Sequence, residues 1–375
     1  MRVLITGGAG FIGAHLTRRL LRERCEVAIL DNFNPQVHGE IRDLAPDVAP
    51  NVILYRADVR DKDVLRRALR GQDVVVHLAA ETGTGQSMYE VSRYEEVNIG
   101  GTASLIDALV KDPARTVSRI LVASSRAVYG EGKYFCDGDG AVFPFGRKAE
   151  DMRSGQYEPR CPRCGHSCKT VPTPEDSPFH PISFYGLTKQ VQEQLVLMFA
   201  KVLGLSAFAL RYQNVYGPGQ SLQNPYTGIL AIFANQARTN QPIYVFEDGC
   251  ESRDFVFIED VVEATWRCIS TDNSAVEVLN VGSGRRTSVL EMAEQIVRLV
   301  RSTSAVKVNG SFREGDIRHN CADIGKARSS IGFEPQWIFR EGLQEFLTWA
   351  QSQEVNASGY ESSLAETREH GILHV

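Results

Sequence analysis

The chain opens on a short apolar run, Val3-Leu4-Ile5, followed by a glycine-rich turn and then Leu16, Leu20 and Leu21 at helical spacing. A second apolar run, Val27 to Leu30, stops at Asp31. Short runs without polar alternation predict strands buried on both faces, as in a parallel sheet. The pattern recurs at 52–55, 74–78, 120–123 and 206–210, with helical patterns over 62–69, 98–110 and 189–203 between them. This alternation predicts an α/β fold, a Rossmann-like doubly wound parallel sheet with helices on both faces.

From about Asn214 loops and shorter elements take over. We read residues 1–213 as a first domain and 214–350 mainly as a smaller α/β substrate domain. The runs at 278–281 and 290–301 predict a returning strand and an amphipathic helix. Residues 131–178 form a cysteine-rich insertion, and 351–375 read as a loosely ordered polar tail. No internal repeat or low-complexity tract interrupts this plan.

Composition narrows the function classes. The chain has 375 residues, 43% hydrophobic and 23% charged, with a formal net charge of -5. Such a balance gives no reason to expect nucleic-acid or membrane partners. No apolar run approaches the roughly 18–20 residues of a spanning helix. The first apolar residues belong to a strand rather than a leader, so the cytoplasm is the expected location.

The glycine turn carries the first candidate chemistry. Gly7, Gly10 and Gly13 are spaced by three between strand and helix, with Phe11 and Ile12 opening the helix. Glycines so placed permit a tight turn, a close pyrophosphate and close helix–strand packing. Asp31 at the second strand tip suits a ribose 2′-hydroxyl and repels a 2′-phosphate, which predicts NAD over NADP. Asn32 follows it. Asp58 and Val59, after the third strand, fall where adenine would lie. Leu78, Ala79 and Ala80 end the fourth strand with small residues, as though a ligand lies against the backbone.

A second cluster suits proton transfer. Tyr185 and Lys189 stand one helical turn apart on one face. An ammonium beside a phenol favours the phenolate, which can take a proton from a sugar hydroxyl. Ser125, at a strand end, can share a hydrogen bond with that hydroxyl.

With TGGAGFIG, LDN, ADVRD, HLAA, NIGGT, SSRAVYG, YGLTK, RYQNVYGPGQ, RDFVFIEDV and REGDIRH, the chain resembles the extended short-chain dehydrogenases/reductases of the nucleotide-sugar epimerase and dehydratase family. The resemblance runs from Met1 to about Trp349. It implies catalytic roles for Ser125, Tyr185 and Lys189, and NAD contacts from Asn98 and Tyr212 besides the residues above. It implies a nucleotide diphosphate held by Asn214, Arg253 and Arg313. Glu81, Thr84, Ser87, Arg126, Asn224 and Asp316 then fall around the sugar. RYQN departs from the family, with Gln213 where Phe is common.

Family members share oxidation at the sugar C4 and differ in the step after it. Similar dehydratases carry an Asp-Glu pair directly after the strand-end Ser/Thr, where this chain has Arg126 and Ala127. Similar decarboxylases carry Glu at the Ala127 place. The expected reaction is therefore 4-epimerisation, which needs no further acid. Within the family, GQSMYE, QNPYTG and the insertion are similar to epimerases of deoxythymidine-diphosphate 6-deoxyhexoses, L-rhamnose and 6-deoxy-L-talose. A dehydratase, a net oxidoreductase, a cytidine-diphosphate-sugar 2-epimerase and an idle NAD-sensing scaffold stay open. Glu81 is close enough to supply an acid.

The insertion holds a C-x-x-C pair, Cys161 and Cys164, with Cys136 upstream and Cys168 downstream. That spacing lets thiolates grip one zinc, and a stretch poor in apolar residues needs such a staple. His166 and Asp139 are alternative fourth ligands. Similar epimerases pair through helices matching 98–110 and 185–203, so a homodimer is expected. Val191, Leu195, Val196 and Phe199 give the second helix an apolar stripe.

Overall fold

The computed structural model describes all residues except 225, 227, 355–358 and 375. Seven strands form one sheet: β1 (Arg2–Thr6), β2 (Glu26–Asp31), β3 (Val52–Arg56), β4 (Val74–His77), β5 (Arg119–Ser125), β6 (Ser206–Tyr212) and β7 (Val276–Val281). Their order is β7-β6-β5-β4-β1-β2-β3, and every pairing is parallel. The apolar runs are strands because both faces are covered. Leu4 packs with Leu65 and Leu105 on one side, whereas Val3 and Ile5 join the core containing Leu16 and Leu20 on the other.

Helix Phe184–Leu203 crosses the sheet beside β5 and β6. Ser183 caps it by accepting from Gly186 N at 3.1 Å, and Gly204 ends it in the left-handed region. The pattern at 98–110 divides into a π turn, Glu95–Gly100, and an α-helix, Gly101–Val110. π turns cluster at functional sites, and this one holds Asn98.

The second region is built on helices Ile229–Arg238, Val289–Val300 and Phe339–Gln351. The insertion folds as a three-stranded sheet of Tyr134–Cys136, Gly140–Val142 and Lys169–Thr170.

The loosely ordered tail is corrected. Tyr360–Glu369 is helical, and Leu373–His374 pairs with Phe312–Arg313. Glu366 is anchored by the hydroxyls of Tyr89 at 3.0 Å and Tyr226 at 2.6 Å. Polarity here marks a docking face rather than disorder.

Candidate active site

Parallel strands end on one edge, so β1, β2, β4, β5 and β6 deliver Thr6, Asp31, His77, Ser125 and Tyr212 to the same side. Gly7 has φ +70°, and a Cβ there would lie 2.8 Å from Ala79 N. A Cβ on Gly13 would lie 2.6 Å from Gly7 O. Helix Phe11–Arg22 starts at Gly10 with no side-chain cap and no acid in its first turn. Its N–H groups are thus left for an anion. These residues fit NAD: the loop admits a pyrophosphate and the helix end attracts it.

Asp31 accepts from Ala9 N at 3.0 Å and Phe33 N at 2.8 Å, bracing the glycine loop from β2. Asn32 donates to Asp58 at 3.0 Å. Val59 packs so closely on Gly101 that a Cβ there would meet it at 2.5 Å. Leu78 N bonds Thr6 O and Ala79 N bonds Thr6 Oγ1, at 3.0 and 3.3 Å. His77 bridges Thr6 and Thr102 at 2.7 and 2.9 Å, and burial pushes it down to about 3. It is a neutral strut.

The Ser125 hydroxyl stands near the Tyr185 phenol. Burial raises Tyr185, while that hydroxyl and the Arg126 charge oppose the rise. Lys189 Nζ donates to Ala123 O at 2.9 Å and lies 6.0 Å from the Tyr185 ring centre. Burial pushes Lys189 down to about 7. Burial thus brings the Lys189 amine towards exchange near neutrality, while it holds the Tyr185 phenol in its protonated form. Ser87 accepts from Tyr185 N at 2.9 Å and donates to Thr84 O at 2.6 Å, which fixes the start of this helix.

Cations gather beyond the triad. Arg126 is pushed down to about 9 by burial and by the Arg253 charge, and the carboxylates of Asp316 and Glu131 resist the fall. Arg253 donates to Ser252 O and Arg318 O at 3.0 and 3.1 Å. Arg313 stacks on Phe246 at 5.1 Å, and its Nε is buried without a partner. Asn214 Oδ1 is likewise an orphan. Asn224 Oδ1 accepts from Tyr226 N at 3.1 Å. The unpaired Arg313 Nε–H is a donor that suits a polyanion, whereas the Asn214 oxygen is an acceptor that suits a hydroxyl or N–H.

Three of the expected site residues are engaged within the protein. Asn98 is fully buried, and its amide bonds Glu81 N, Glu81 O and Thr188 Oγ1 at 2.7, 3.1 and 2.9 Å. In that place it ties the loop after β4 to helix Phe184–Leu203. The Tyr212 hydroxyl pairs with Thr265 at 2.8 Å inside the core; along a strand its neighbour Gln213 takes the opposite face, and Gln213 Oε1 is an orphan. Glu81 is no free acid near the sugar: Arg93 and Asn34 hold its two oxygens at 2.7 and 3.0 Å.

The sequence reading missed a buried ion network. Arg147 reaches Glu131 at 3.2 Å, Glu247 at 2.8 Å and Asp316 O at 3.0 Å. Arg318 contacts Glu158, Glu247 and Asp248 at 2.7, 2.8 and 2.8 Å. Tyr360, from the tail, lies near enough to Arg313 for its phenol to feel that charge. Only the arginine-rich REGDIRH segment signals any of this in the sequence. In the insertion, Cys136, Asp139, Cys161 and Cys164 offer ligand atoms within 4.8 Å of one another. Cys168 is not in this group of four, although it packs in one small cluster with Cys136 and Cys161; the turn after Cys136 carries Asp139 inward.

The sequence profile of the NAD dependent epimerase/dehydratase family matches residues 3–162 and 163–282. A dTDP-L-rhamnose 4-epimerase of Burkholderia thailandensis is 38% identical over 93% of this chain and 94% of its own. The UDP-glucose 4-epimerase of Thermotoga maritima, solved with UDP-glucose, superposes with TM-score 0.75 at 28% identity, over 94% of this chain and 99% of its own. A Bacillus cereus UDP-glucuronic acid 4-epimerase, solved with its sugar nucleotide and NAD, gives TM-score 0.76 at 25% identity, over 94% and 99%. Glycine turn, Ser125–Tyr185–Lys189 cluster and profile coincide, and the chain belongs to the NAD-dependent epimerase/dehydratase family.

Proposed function

We propose that this enzyme is an NAD-dependent nucleotide-sugar 4-epimerase, an isomerase, whose substrate is a dTDP-linked 6-deoxyhexose. The observation that carries 4-epimerisation is the pairing of an assembled Ser125–Tyr185–Lys189 cluster with Arg126 and Ala127 at the next two positions. Tyr185, aided by Ser125, takes the proton of the C4 hydroxyl and returns it once the sugar has turned over in the pocket. Lys189 holds positive charge near the phenol as it ionises. Arg253, Arg313 and Asn214 retain the diphosphate through that turn. Bound NAD supplies the hydride acceptor and donor.

The dTDP-6-deoxyhexose assignment is supported by the 38% relative. Its test is proton NMR of dTDP-L-rhamnose incubated with the enzyme without added reductant. Two C4 isomers at equilibrium are expected; an unchanged spectrum, with turnover of a UDP-sugar, overturns the assignment. We also propose a homodimer. Leu187, Met198 and Val202 on helix Phe184–Leu203 are 41%, 58% and 72% exposed, and Val110 on the neighbouring helix is 44% exposed. This apolar face differs from the expected stripe, because Val196 is buried in the protein's own core. Sedimentation equilibrium tests it, and a monomer at micromolar concentration refutes it.

A further inference from the structure

The insertion carries two matching turns. Tyr134–Cys136 and Gly140–Val142 form a hairpin with Cys136 at its strand end and Asp139 in its connection. Arg160 and Ser167 bridge a second hairpin whose connection holds Cys161 and Cys164. In each, two ligand-type side chains stand three residues apart. The turns face one another. Cys136 Sγ lies 3.5 Å from Cys164 Sγ, and Asp139 Oδ2 lies 3.2 Å from Cys161 Sγ and 3.7 Å from Cys136 Sγ. Tetrahedral zinc with Zn–S of about 2.3 Å and Zn–O of about 2.0 Å requires ligand atoms about 3.5–3.8 Å apart. The 3.5 and 3.7 Å separations match that edge, and the 3.2 Å one falls a little short of it. They are far longer than the roughly 2.05 Å of a disulfide, and all four insertion cysteines are free.

A further sign is the backbone. Arg163 N donates to Cys161 Sγ at 3.4 Å, which steadies a thiolate. The apolar support is slight: Tyr134, Val142 and the cysteines make their own small cluster, separate from both main cores. Such a unit needs a ligand to hold it.

We propose that Cys136, Cys161, Cys164 and Asp139 bind one Zn2+ that is structural, and that the bound ion clamps the anion pocket. The clamp is visible in the connections. Glu158, two residues before the second hairpin, holds Arg318 at 2.7 Å and His319 at 3.2 Å. Tyr157 O accepts from Arg147 at 3.3 Å, and Arg147 also holds Asp316 O at 3.0 Å. After the third strand, Thr173 N bonds Cys321 O at 2.9 Å. The knuckle therefore sits between segments that grip residues 316–321, just beyond Arg313. All four ligands come from the chain, so the site is closed to substrate and supplies no Lewis acid.

The test uses full-length enzyme purified without chelator or added metal. Plasma mass spectrometry is expected to find about one zinc per chain. Cys161→Ser with Cys164→Ser is expected to lose it, Asp139→Asn to weaken retention by about 10–100-fold against a chromophoric chelator, and Cys168→Ser to keep it. Cobalt substitution is expected to give the intense visible bands of a tetrahedral thiolate site, whether or not the enzyme turns over. Zinc-free protein that takes up no cobalt after reduction overturns the site, as does a Cys136–Cys164 disulfide in the native enzyme. Zinc retained by Asp139→Asn but lost by Cys168→Ser overturns the ligand set. The clamp rests additionally on the proposed function: the metal-free double variant, if folded by circular dichroism, is expected to raise KM roughly five- to tenfold with kcat little changed. Zinc content decides the site even where no substrate turns over.

Discussion

Arg211 and Glu193 offer the sharpest test of how the reactive helix is held. Arg211 is 2% exposed and Glu193 is 1% exposed. Their side chains pair twice, at 3.0 and 2.6 Å. Glu193 also accepts from Ser124 Oγ at 2.6 Å, and Arg211 lies between the rings of Tyr129 and Phe179 at 4.7 and 4.9 Å. Arg211→Met keeps the apolar stem and strands a buried carboxylate, at a cost of about 3–5 kcal/mol. Against a usual total of about 5–15 kcal/mol this is severe. Adding Glu193→Met removes the stranded charge and is expected to recover most of the loss, because replacing both partners is far milder than breaking the pair. Urea unfolding followed by tryptophan fluorescence reads both variants. A double variant as unstable as the single one would refute the reasoning.

Lys189→Met removes a buried amine whose pKa is pushed down to about 7. Between about pH 7 and the unfolded lysine value near 10.4 the unfolded chain binds the extra proton, so wild-type stability rises with pH there. The variant lacks this rise: it is expected to be more stable than wild type at pH 6.5, to lose that lead by pH 10 in urea titrations without NAD, and to be inactive. Tyr185→Phe is expected to lower kcat at least about 10²-fold while NAD stays bound, which absorbance of heat-released cofactor measures. Gly13→Ala places a Cβ 2.6 Å from Gly7 O; calorimetric titration is expected to show NAD affinity lost while far-ultraviolet circular dichroism is retained.

The parallel sheet was legible because its strands are bare apolar runs, buried on both faces, and such runs need no partner to be recognised. The glycine turn was legible because sterics there admit one residue type. The partners of Asn98 and Tyr212 were hidden for a shared reason. Their positions place them beside the nucleotide, but where a side chain on a strand or turn points depends on neighbours distant in sequence, Thr188 and Thr265 here. The insertion's strands of two or three residues carry no period to detect. The tail helix was hidden because its docking depends on Glu366 meeting two tyrosines from separate loops.

The absence of dehydratase acids beside Ser125 was the weakest step in the sequence argument, since an acid can arrive from elsewhere in the fold. The geometry strengthens it. Glu81 is held by Arg93 and Asn34. Glu131, raised by burial, is engaged by Arg147, the backbone of Arg318 and the Tyr134 hydroxyl. A carboxylate bound in this way needs those bonds broken before it can shuttle a proton at the sugar. Unpaired atoms of both signs remain among the described residues: Arg313 Nε and Arg126 make no hydrogen bond, and Glu131 Oε1 and Glu251 Oε2 are buried without one. The free guanidiniums suit gripping an anionic nucleotide. Glu81 and Glu131 are poorly placed for a second proton transfer, and the group in the reactive cluster that can exchange a proton with the sugar is Tyr185. With Tyr185 in that role, the proton it removes is the proton it gives back, and inversion of a single carbinol centre is the chemistry that fits.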